Sequence, residues 1–348
     1  MYQRSMNDGP GGAEDEQDAG AGHRGARPLA LLAAGLVACS ASSSRKDATC
    51  APSVTPRSAT VHYGRASIGD VRVYYREAGS PAAPAIVLLH GFPSSSHQFR
   101  ALIPRLATRF HVIAPDYPGF GNSDRPAPSA FAYTFDHLAE TIERFLADRG
   151  LQSFVLFLHD YGGPIGFRIA SRHPERIRAL VIQNANAYAE GLAPSFLERH
   201  RALWSNRTPE SEAPVAKYLA EGGWRAQYTR GARDESSVSA DDVNLDAWGL
   251  AQPDSLAIQM DLQFDYRTNL ERYDEWHRYL REHRPPTLVV WGKNDAVFTP
   301  AGAWAFRKDV PDCEVHLLDE GHFPLEEDPD TTADLVLDFL ARRMLGDR

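Results

Sequence analysis

The chain has 348 residues, of which 43% are apolar and 24% are charged, and its formal net charge at pH 7 is −9. This composition is typical of a soluble globular protein, and the length suits one large α/β domain with an insertion or two ordinary domains. The charge is spread along the chain without a block of Lys or Arg, which argues against a nucleic-acid partner. Cys39, Cys50 and Cys313 lack the spacing of a metal site, and no phosphate-binding glycine motif is present, so we predict neither a metal nor a cofactor.

Residues 1–57 differ from the rest of the chain. The first 23 residues are rich in Gly, Asp and Glu, and this predicts a disordered leader. Arg24 and Arg27 then precede the apolar run PLALLAAGLVA, which is too short to span a bilayer but has the length of a secretory signal. The run ends at LVAC, which resembles the lipobox of bacterial lipoproteins and implies export with a lipid anchor on Cys39. The alternative is a tail added by a misplaced start codon, and the protein would then be cytoplasmic.

From residue 58 onward, strands and helices alternate. ATVHYGRASI and DVRVYYREAG predict an antiparallel hairpin because apolar and polar residues alternate on both sides of a tight turn. AIVLLHG is a continuous apolar run, as is typical of a strand buried on both faces of a parallel sheet. Further strands are predicted at FHVIAPD, FVLFLHD and ALVIQNANA, with helices between them. This alternation predicts an α/β fold with a doubly wound, mostly parallel sheet.

The alternation stops between residues 188 and 284, where the sequence is aromatic-rich and helix-prone. It resumes with PTLVVWGKNDAVF, the seventh predicted strand and the loop that follows it. We therefore predict a helical cap over 188–284, inserted before that strand, with the two parts of the core at 58–187 and 285–348. Ligands of open α/β sheets bind beyond the carboxyl ends of the strands, so such a cap would cover the binding site.

The segment HDYGG places a carboxylate at a sharp turn between a strand and a helix. Asp160 follows the strand, and Gly162 and Gly163 allow the backbone to bend. Taken alone, Asp160 would also suit a helix N-cap. However, GKNDAVFTP places Asp295 after the seventh strand, and DEGHFPLEEDP places His322 after the last strand. The order nucleophile, acid and histidine predicts a catalytic triad, and no G-x-S-x-G motif offers a serine instead.

From about residue 60 to 345 the chain resembles the α/β-hydrolase superfamily, and HDYGG resembles its epoxide hydrolase and haloalkane dehalogenase branch, which uses an Asp nucleophile. The resemblance implies that Asp160 attacks a saturated carbon to form an alkyl ester. His322, oriented by Asp295, would then activate the water that cleaves this ester. The chemistry is consistent, because an ionised carboxylate needs no base for attack, whereas ester hydrolysis does. The backbone N–H groups of Phe92, in LHGFPSSS, and Tyr161 are the predicted oxyanion hole.

Epoxide hydrolysis and halide displacement, the two reactions of this branch, differ in what the leaving group requires. An opening epoxide needs a proton donor such as a Tyr hydroxyl, whereas a departing halide needs N–H donors. Haloalkane dehalogenases usually carry Trp after the nucleophile and Asn or Glu in the oxyanion loop, where this chain has Tyr161 and Phe92. FDYRTNLERY is similar to the cap segment that carries a ring-opening tyrosine, so Tyr266 is the predicted acid, although it could simply pack in the cap core. A second cap tyrosine is expected, with three candidates: Tyr188, Tyr218 and Tyr228.

We therefore predict a hydrolase that converts an epoxide to a diol. The alternatives are a haloalkane dehalogenase-like or other hydrolase of the same branch, and a non-catalytic ligand-binding protein of the same fold. Fluoroacetate dehalogenases hold a substrate carboxylate with arginines just after the nucleophile, but Arg168 lies too far along the helix for that role. If aromatic residues of the cap line the cavity, the substrate is a small apolar organic molecule. The sequence does not indicate an oligomeric state.

Overall fold

The computed structural model describes residues 59–345, which belong to one compact unit. The predicted leader and Cys39 lie outside the described residues, so export and lipid anchoring stay predictions. Between residues 59 and 345, no helix combines the length and the apolar character that a membrane crossing requires.

The strands of residues 59–345 are β1 Val61–Ile68, β2 Val71–Ala78, β3 Ala85–Leu89, β4 His111–Pro115, β5 Phe154–His159, β6 Ile177–Gln183, β7 Thr287–Gly292 and β8 Glu314–Leu318. These eight strands form one sheet, in which they lie side by side in the order β1-β2-β4-β3-β5-β6-β7-β8. β2 is antiparallel to both of its neighbours, and all other neighbouring strands are parallel. The predicted hairpin and the mostly parallel sheet are therefore confirmed.

Helices cover both faces of the sheet. Within the described range they are α1 Leu102–Leu106, α2 Phe135–Asp148, α3 Gly162–Arg172, α4 Pro194–Ser205, α5 Pro209–Ala220, α6 Ala226–Thr229, α7 Ala240–Leu250, α8 Ser255–Asp265, α9 Arg267–Glu271, α10 Tyr273–His283, α11 Pro300–Ala305, α12 Pro324–Glu327 and α13 Pro329–Leu340. A short π-helical turn, Ala341–Leu345, follows α13.

The continuous apolar runs form the central strands because both of their faces are buried. Every residue of β3, β5 and β7 is buried. In β5, Leu156 and Leu158 pack in one apolar cluster with α2 and α3, whereas Val155 and Phe157 pack in a second cluster with α1 and α13. A strand with helices on both faces cannot alternate apolar with polar residues, which explains the pattern of FVLFL.

Seven helices, α4 to α10, lie between β6 and β7. They coincide with the predicted cap over 188–284, and the next strand begins at Thr287. Two of these helices start with a proline at the first position, where its missing N–H has no helical partner. The Thr208 side chain and Ser211 form a capping box at the start of α5. The described residues form one compact unit, so a cap domain separate from the core stays a prediction.

Candidate active site

Asp160 occupies the turn between β5 and α3. Its φ is +47°, a left-handed conformation that costs a residue other than glycine about 1–2 kcal/mol. The carboxylate does not cap α3, because Tyr161 is the N-cap residue and makes no side-chain cap bond. Instead, Asp160 Oδ1 accepts a hydrogen bond of 2.6 Å from the Phe92 N–H. A buried carboxylate on a strained backbone is typical of a functional turn rather than of a helix cap.

Two glycines let the backbone approach this turn. A Cβ atom on Gly162 would lie 2.1 Å from the Leu89 carbonyl oxygen, and one on Gly91 would lie 2.3 Å from the Asp160 Cβ. Both positions therefore exclude any larger residue. Gly162 was expected from the sequence, whereas Gly91 was not; the signal for Gly91 is the HG pair at the end of the third strand.

His322 lies between the two predicted carboxylates. Its Nδ1 is 2.8 Å from Asp295 Oδ2, and its Nε2 is 3.7 Å from Asp160 Oδ2. The three side chains come from the loops after β5, β7 and β8, at the carboxyl ends of the strands, and all three residues are buried. The structure thus brings together the residues of the predicted triad.

Asp295 is fixed by donors that surround its carboxylate. The backbone N–H groups of Val297 and Phe298 donate to Oδ1 at 2.7 and 3.1 Å. The Asn184 side chain donates to Oδ2 at 2.7 Å and accepts from the Gly292 N–H at 3.1 Å. Asn184 is therefore a positioning residue that the sequence analysis missed. Its signal is a buried polar residue directly after β6, at the same edge of the sheet.

The charge of His322 depends on both carboxylates. Burial alone would lower its pKa, but Asp295 and Asp160 outweigh this effect and raise the pKa of His322 to about 10. The neighbouring His159 has the opposite shift, because burial and the charge of His322 lower its pKa to about 4. A neutral His159 ring donates from Nε2 to the His322 carbonyl oxygen at 3.0 Å. The resting site therefore contains a charged His322 ring paired with two carboxylates.

A cavity of about 90 Å³ opens in front of Asp160. Of the predicted site residues, all but Asp295 line it, and Asp295 stands behind His322. The lining residues are Phe92, Asp160, Tyr161, Ser195, Phe196, Arg199, Tyr218, Gly223, Ala226, Gln227, Arg230, Gln263, Tyr266, Ala296, Val297, Phe298 and His322. The cap tryptophans and Phe264 are absent from this lining. The cavity is small and mixes aromatic with polar groups, which favours a compact ligand.

The structure distinguishes the candidates for the second cap tyrosine. Tyr218 lines the cavity together with Tyr266. Tyr188 instead donates to Asp309 Oδ2 at 2.8 Å, and Tyr228 is hydrogen-bonded to Asp246. Tyr188 and Tyr228 both lie outside the cavity lining, so Tyr218 is the second tyrosine that faces the nucleophile.

The Tyr161 hydroxyl accepts a hydrogen bond of 2.8 Å from Gln263 Nε2, and Gln263 Oε1 lies 2.6 Å from His200 Nε2. His200 Nδ1 lies 2.7 Å from the Phe196 carbonyl oxygen. Burial lowers the pKa of His200. A glutamine of α8 therefore holds the Tyr161 side chain at the cavity wall.

Tyr218 and Tyr266 are the two cap tyrosines that line the cavity. The Tyr218 hydroxyl accepts from Gln227 Nε2 at 2.7 Å, which leaves its own proton available. Burial raises the pKa of Tyr218 and raises that of Tyr266 well above its ordinary value. Both hydroxyls thus stay protonated at neutral pH and can donate into the cavity.

Within residues 59–345 no tryptophan lines the cavity. Trp204 stacks on Tyr266 with ring centroids 5.9 Å apart, but its indole N–H donates to the backbone carbonyl oxygen of Gln263 at 2.8 Å. Arg168 is also remote from the cavity, as the sequence predicted. It is buried between α2 and α9, where it contacts Asp136 at 3.0 Å.

Comparisons with known proteins agree with this architecture. Residues 84–329 match the family model of the alpha/beta hydrolase fold. An uncharacterized hydrolase of Saccharomyces cerevisiae is 40% identical over 274 residues, which cover 78% of this chain and 94% of that protein. Haloalkane dehalogenase 2 of Mycobacterium tuberculosis is 29% identical over 275 residues, covering 77% of this chain and 91% of that one. The structure of the epoxide hydrolase CorEH has a TM-score of 0.67 at 22% identity and covers 81% of this chain and 99% of its own. Since the family model spans most of the chain and the yeast relative exceeds 30% identity, this protein belongs to the α/β-hydrolase family.

Proposed function

We propose that this protein is a hydrolase that forms a covalent alkyl ester on Asp160, and that its substrate is an epoxide. The observation that carries the proposal is the Asp160 carboxylate, on a turn with positive φ and 3.7 Å from His322, in a cavity that Tyr218 and Tyr266 also line. Displacement at carbon needs the nucleophile, and opening of the ring needs a proton donor on the other side of the substrate. Tyr266 and Tyr218 are the tyrosine donors that the cap contributes to this cavity.

In the first half of the reaction, Asp160 Oδ2 forms a bond to one epoxide carbon while the bond from that carbon to oxygen breaks. The released oxygen takes a proton from Tyr266 or Tyr218 and becomes a hydroxyl group. The tyrosinate regains its proton from the charged His322 ring, through water. Asp160 is now a neutral ester and His322 is a neutral base, so no proton is gained or lost.

In the second half, His322 removes a proton from a water molecule that attacks the ester carbonyl of Asp160. The negative charge that develops on this carbonyl oxygen faces the Phe92 N–H, which already contacts Asp160 Oδ1 at 2.6 Å. We assign the Tyr161 N–H as the second donor of this oxyanion hole. Loss of one such donor typically costs about a hundredfold or more in rate. Collapse releases the diol and restores a charged Asp160 and a charged His322.

Halide displacement is the second candidate, because haloalkane dehalogenase 2 is 29% identical to this chain. Its first step would be the same attack by Asp160, with a halide leaving instead of an alkoxide. A halide needs N–H donors, and no tryptophan lines the cavity within the described part of the chain. The available donors would be the amide of Gln227 and the arginines of the cap. The epoxide is therefore the better match.

The test is a single turnover in ¹⁸O-labelled water with styrene oxide and, separately, with 1-bromobutane. We expect one ¹⁸O atom in the peptide that contains Asp160, with styrene diol as the product. Label found only in the product would reject the ester route. Bromide release without diol formation would favour the second candidate, and binding of both compounds without any product would indicate a non-catalytic protein.

The tyrosines are tested by Tyr266→Phe and Tyr218→Phe. Each should lower the rate of ester formation from the epoxide by about a hundredfold. Tyr279→Phe is the matched control, because the Tyr279 hydroxyl is buried without a hydrogen-bond partner and lies outside the cavity. If all three variants react at the wild-type rate, the tyrosines are not the ring-opening acids.

A further inference from the structure

Two arginines of the cap line the same cavity as Asp160. Arg199 lies on α4 and is partly buried, and Arg230 follows α6 and is exposed. Within residues 59–345, no carboxylate forms a salt bridge with either guanidinium, although neighbouring arginines of the cap such as Arg207 and Arg233 do form them. The cavity wall therefore has positive charge that no carboxylate of residues 59–345 neutralises through a salt bridge.

The charge balance inside the cavity leads to the same conclusion. Asp160 is the one carboxylate among the described lining residues, and together with Asp295 behind His322 it brings two negative charges to the site. His322, Arg199 and Arg230 bring three positive charges, so the cations exceed these carboxylates by one charge. An anionic ligand would be repelled by Asp160 unless nearby cations compensated, and the two arginines of the cavity wall supply that compensation.

Arg199 is also held in one orientation. Its guanidinium carbon lies 3.9 Å from the centroid of the Tyr218 ring, and the Tyr218 hydroxyl is in turn held by Gln227. Stacking on an aromatic face engages the plane of the guanidinium, and its N–H edge can still donate hydrogen bonds to a ligand. That edge matches the two oxygens of a carboxylate, which a guanidinium binds through paired hydrogen bonds.

We propose that the substrate carries a carboxylate, bound by Arg199 and Arg230, at the end remote from the carbon that Asp160 attacks. The proposal rests on the function proposed above. The part of the substrate between these two ends is short and apolar, because the cavity is small and Phe196, Phe298 and Val297 also line it. The sequence-based expectation of a small apolar substrate would then describe the middle of the molecule and not its outer end.

Two matched epoxides test this specificity. 5,6-Epoxyhexanoate has a carboxylate where 1,2-epoxyhexane has a methyl group, and the reacting ends are identical. We expect kcat/KM to be higher for the carboxylate. Arg199→Gln and Arg230→Gln should each lower the ratio of the two kcat/KM values by about tenfold to a hundredfold, as expected for a charge-assisted hydrogen bond. Arg199→Lys should restore part of the ratio, because it keeps the charge.

Arg201→Gln is the matched control, since Arg201 is an exposed residue on the same helix and does not line the cavity. It should leave the ratio at the wild-type value. Equal kcat/KM values for the two epoxides, or a ratio that does not change in Arg199→Gln and Arg230→Gln, would overturn the proposal.

A binding experiment separates this proposal from the proposed function. Hexanoate and 1-hexanol, which cannot react, are titrated calorimetrically into wild type, Arg199→Gln and Arg230→Gln. Hexanoate should bind wild type at least about tenfold more tightly than either variant, and 1-hexanol should not discriminate. If hexanoate binds in this way but no ¹⁸O enters Asp160 from any epoxide, the ester route fails and the carboxylate site stands. If ¹⁸O enters Asp160 but hexanoate does not discriminate, the carboxylate site fails alone.

Discussion

Replacing Asp160 with Asn removes one of the two negative charges that face His322 and keeps the size of the side chain. In the wild-type protein Asp160 Oδ2 lies 3.7 Å from His322 Nε2. At that separation, and at an effective dielectric constant of about 20, the attraction is about 4.5 kcal/mol, which corresponds to about 3 pH units. The pKa of His322 should therefore fall from about 10 to near neutrality in Asp160→Asn. The Asn side chain imitates the neutral ester that the proposed reaction places at this position.

The assay is a pH titration of the imidazole nitrogens by ¹⁵N NMR, from pH 5 to 11, on wild type and on Asp160→Asn. Intact-mass measurement verifies that residue 160 is still Asn during the titration. The wild-type His322 signal should show a charged ring at pH 8, and the variant should show a largely neutral one. A difference of less than one pH unit between the two pKa values would refute the reasoning, because the charge of Asp160 would then not be what holds the proton on His322.

Two further predictions concern stability. Gly162→Ala should destabilise the protein by about 3 kcal/mol or prevent folding, because its Cβ would lie 2.1 Å from the Leu89 carbonyl oxygen. Gly249→Ala is the control: its Cβ would meet nothing within 4 Å, so this variant should be as stable as wild type or slightly more stable. Equal melting temperatures for the two variants would contradict this prediction. The raised pKa of His322 should make the free energy of unfolding fall as pH rises from about 6.5 to about 10, because the histidine of the unfolded chain loses its proton at a lower pH than that of the folded protein. The two pKa values differ by about 3.5 pH units, which at about 1.4 kcal/mol for each unit corresponds to a fall of about 5 kcal/mol. Denaturant titrations of wild type and His322→Gln should show this fall only in wild type.

The features of the fold and site that could be predicted from the sequence are those that depend on short segments of chain. FLHDYGG contains the buried strand, the turn and the glycine at which α3 approaches Leu89, all within a few residues. Asp295 and His322 follow strands of the same sheet, and parallel strands bring their carboxyl ends to one edge. Their meeting is therefore a consequence of topology, which the alternation of strands and helices predicts.

The sequence predicts that the cap is helical, but it does not predict which cap side chains line the cavity. Tyr188, Tyr218 and Tyr228 look equivalent in the sequence, and only the packing of the cap helices decides that Tyr218 faces Asp160. Arg199 lies among several charged residues on α4, and nothing in its spacing separates it from Arg201, which faces solvent. Which side chain faces the cavity depends on how each cap helix is rotated about its own axis, and an aromatic-rich sequence is compatible with many such rotations.

The pairing of Asp160 with His322 also gives the proposed reaction its order. While Asp160 is ionised it can attack carbon, and the same charge keeps a proton on His322, so the base is unavailable before the ester forms. Alkylation neutralises Asp160 and weakens the hold on that proton, and the ring becomes able to accept a proton from water. A serine at this turn would lack the charge that helps to hold the proton on His322, and the ring would then be free to act as a base from the start, as a hydroxyl nucleophile requires. The raised pKa of His322 is therefore a consequence of the carboxylate at this turn, which needs no base for its own attack and releases one only after it has become an ester.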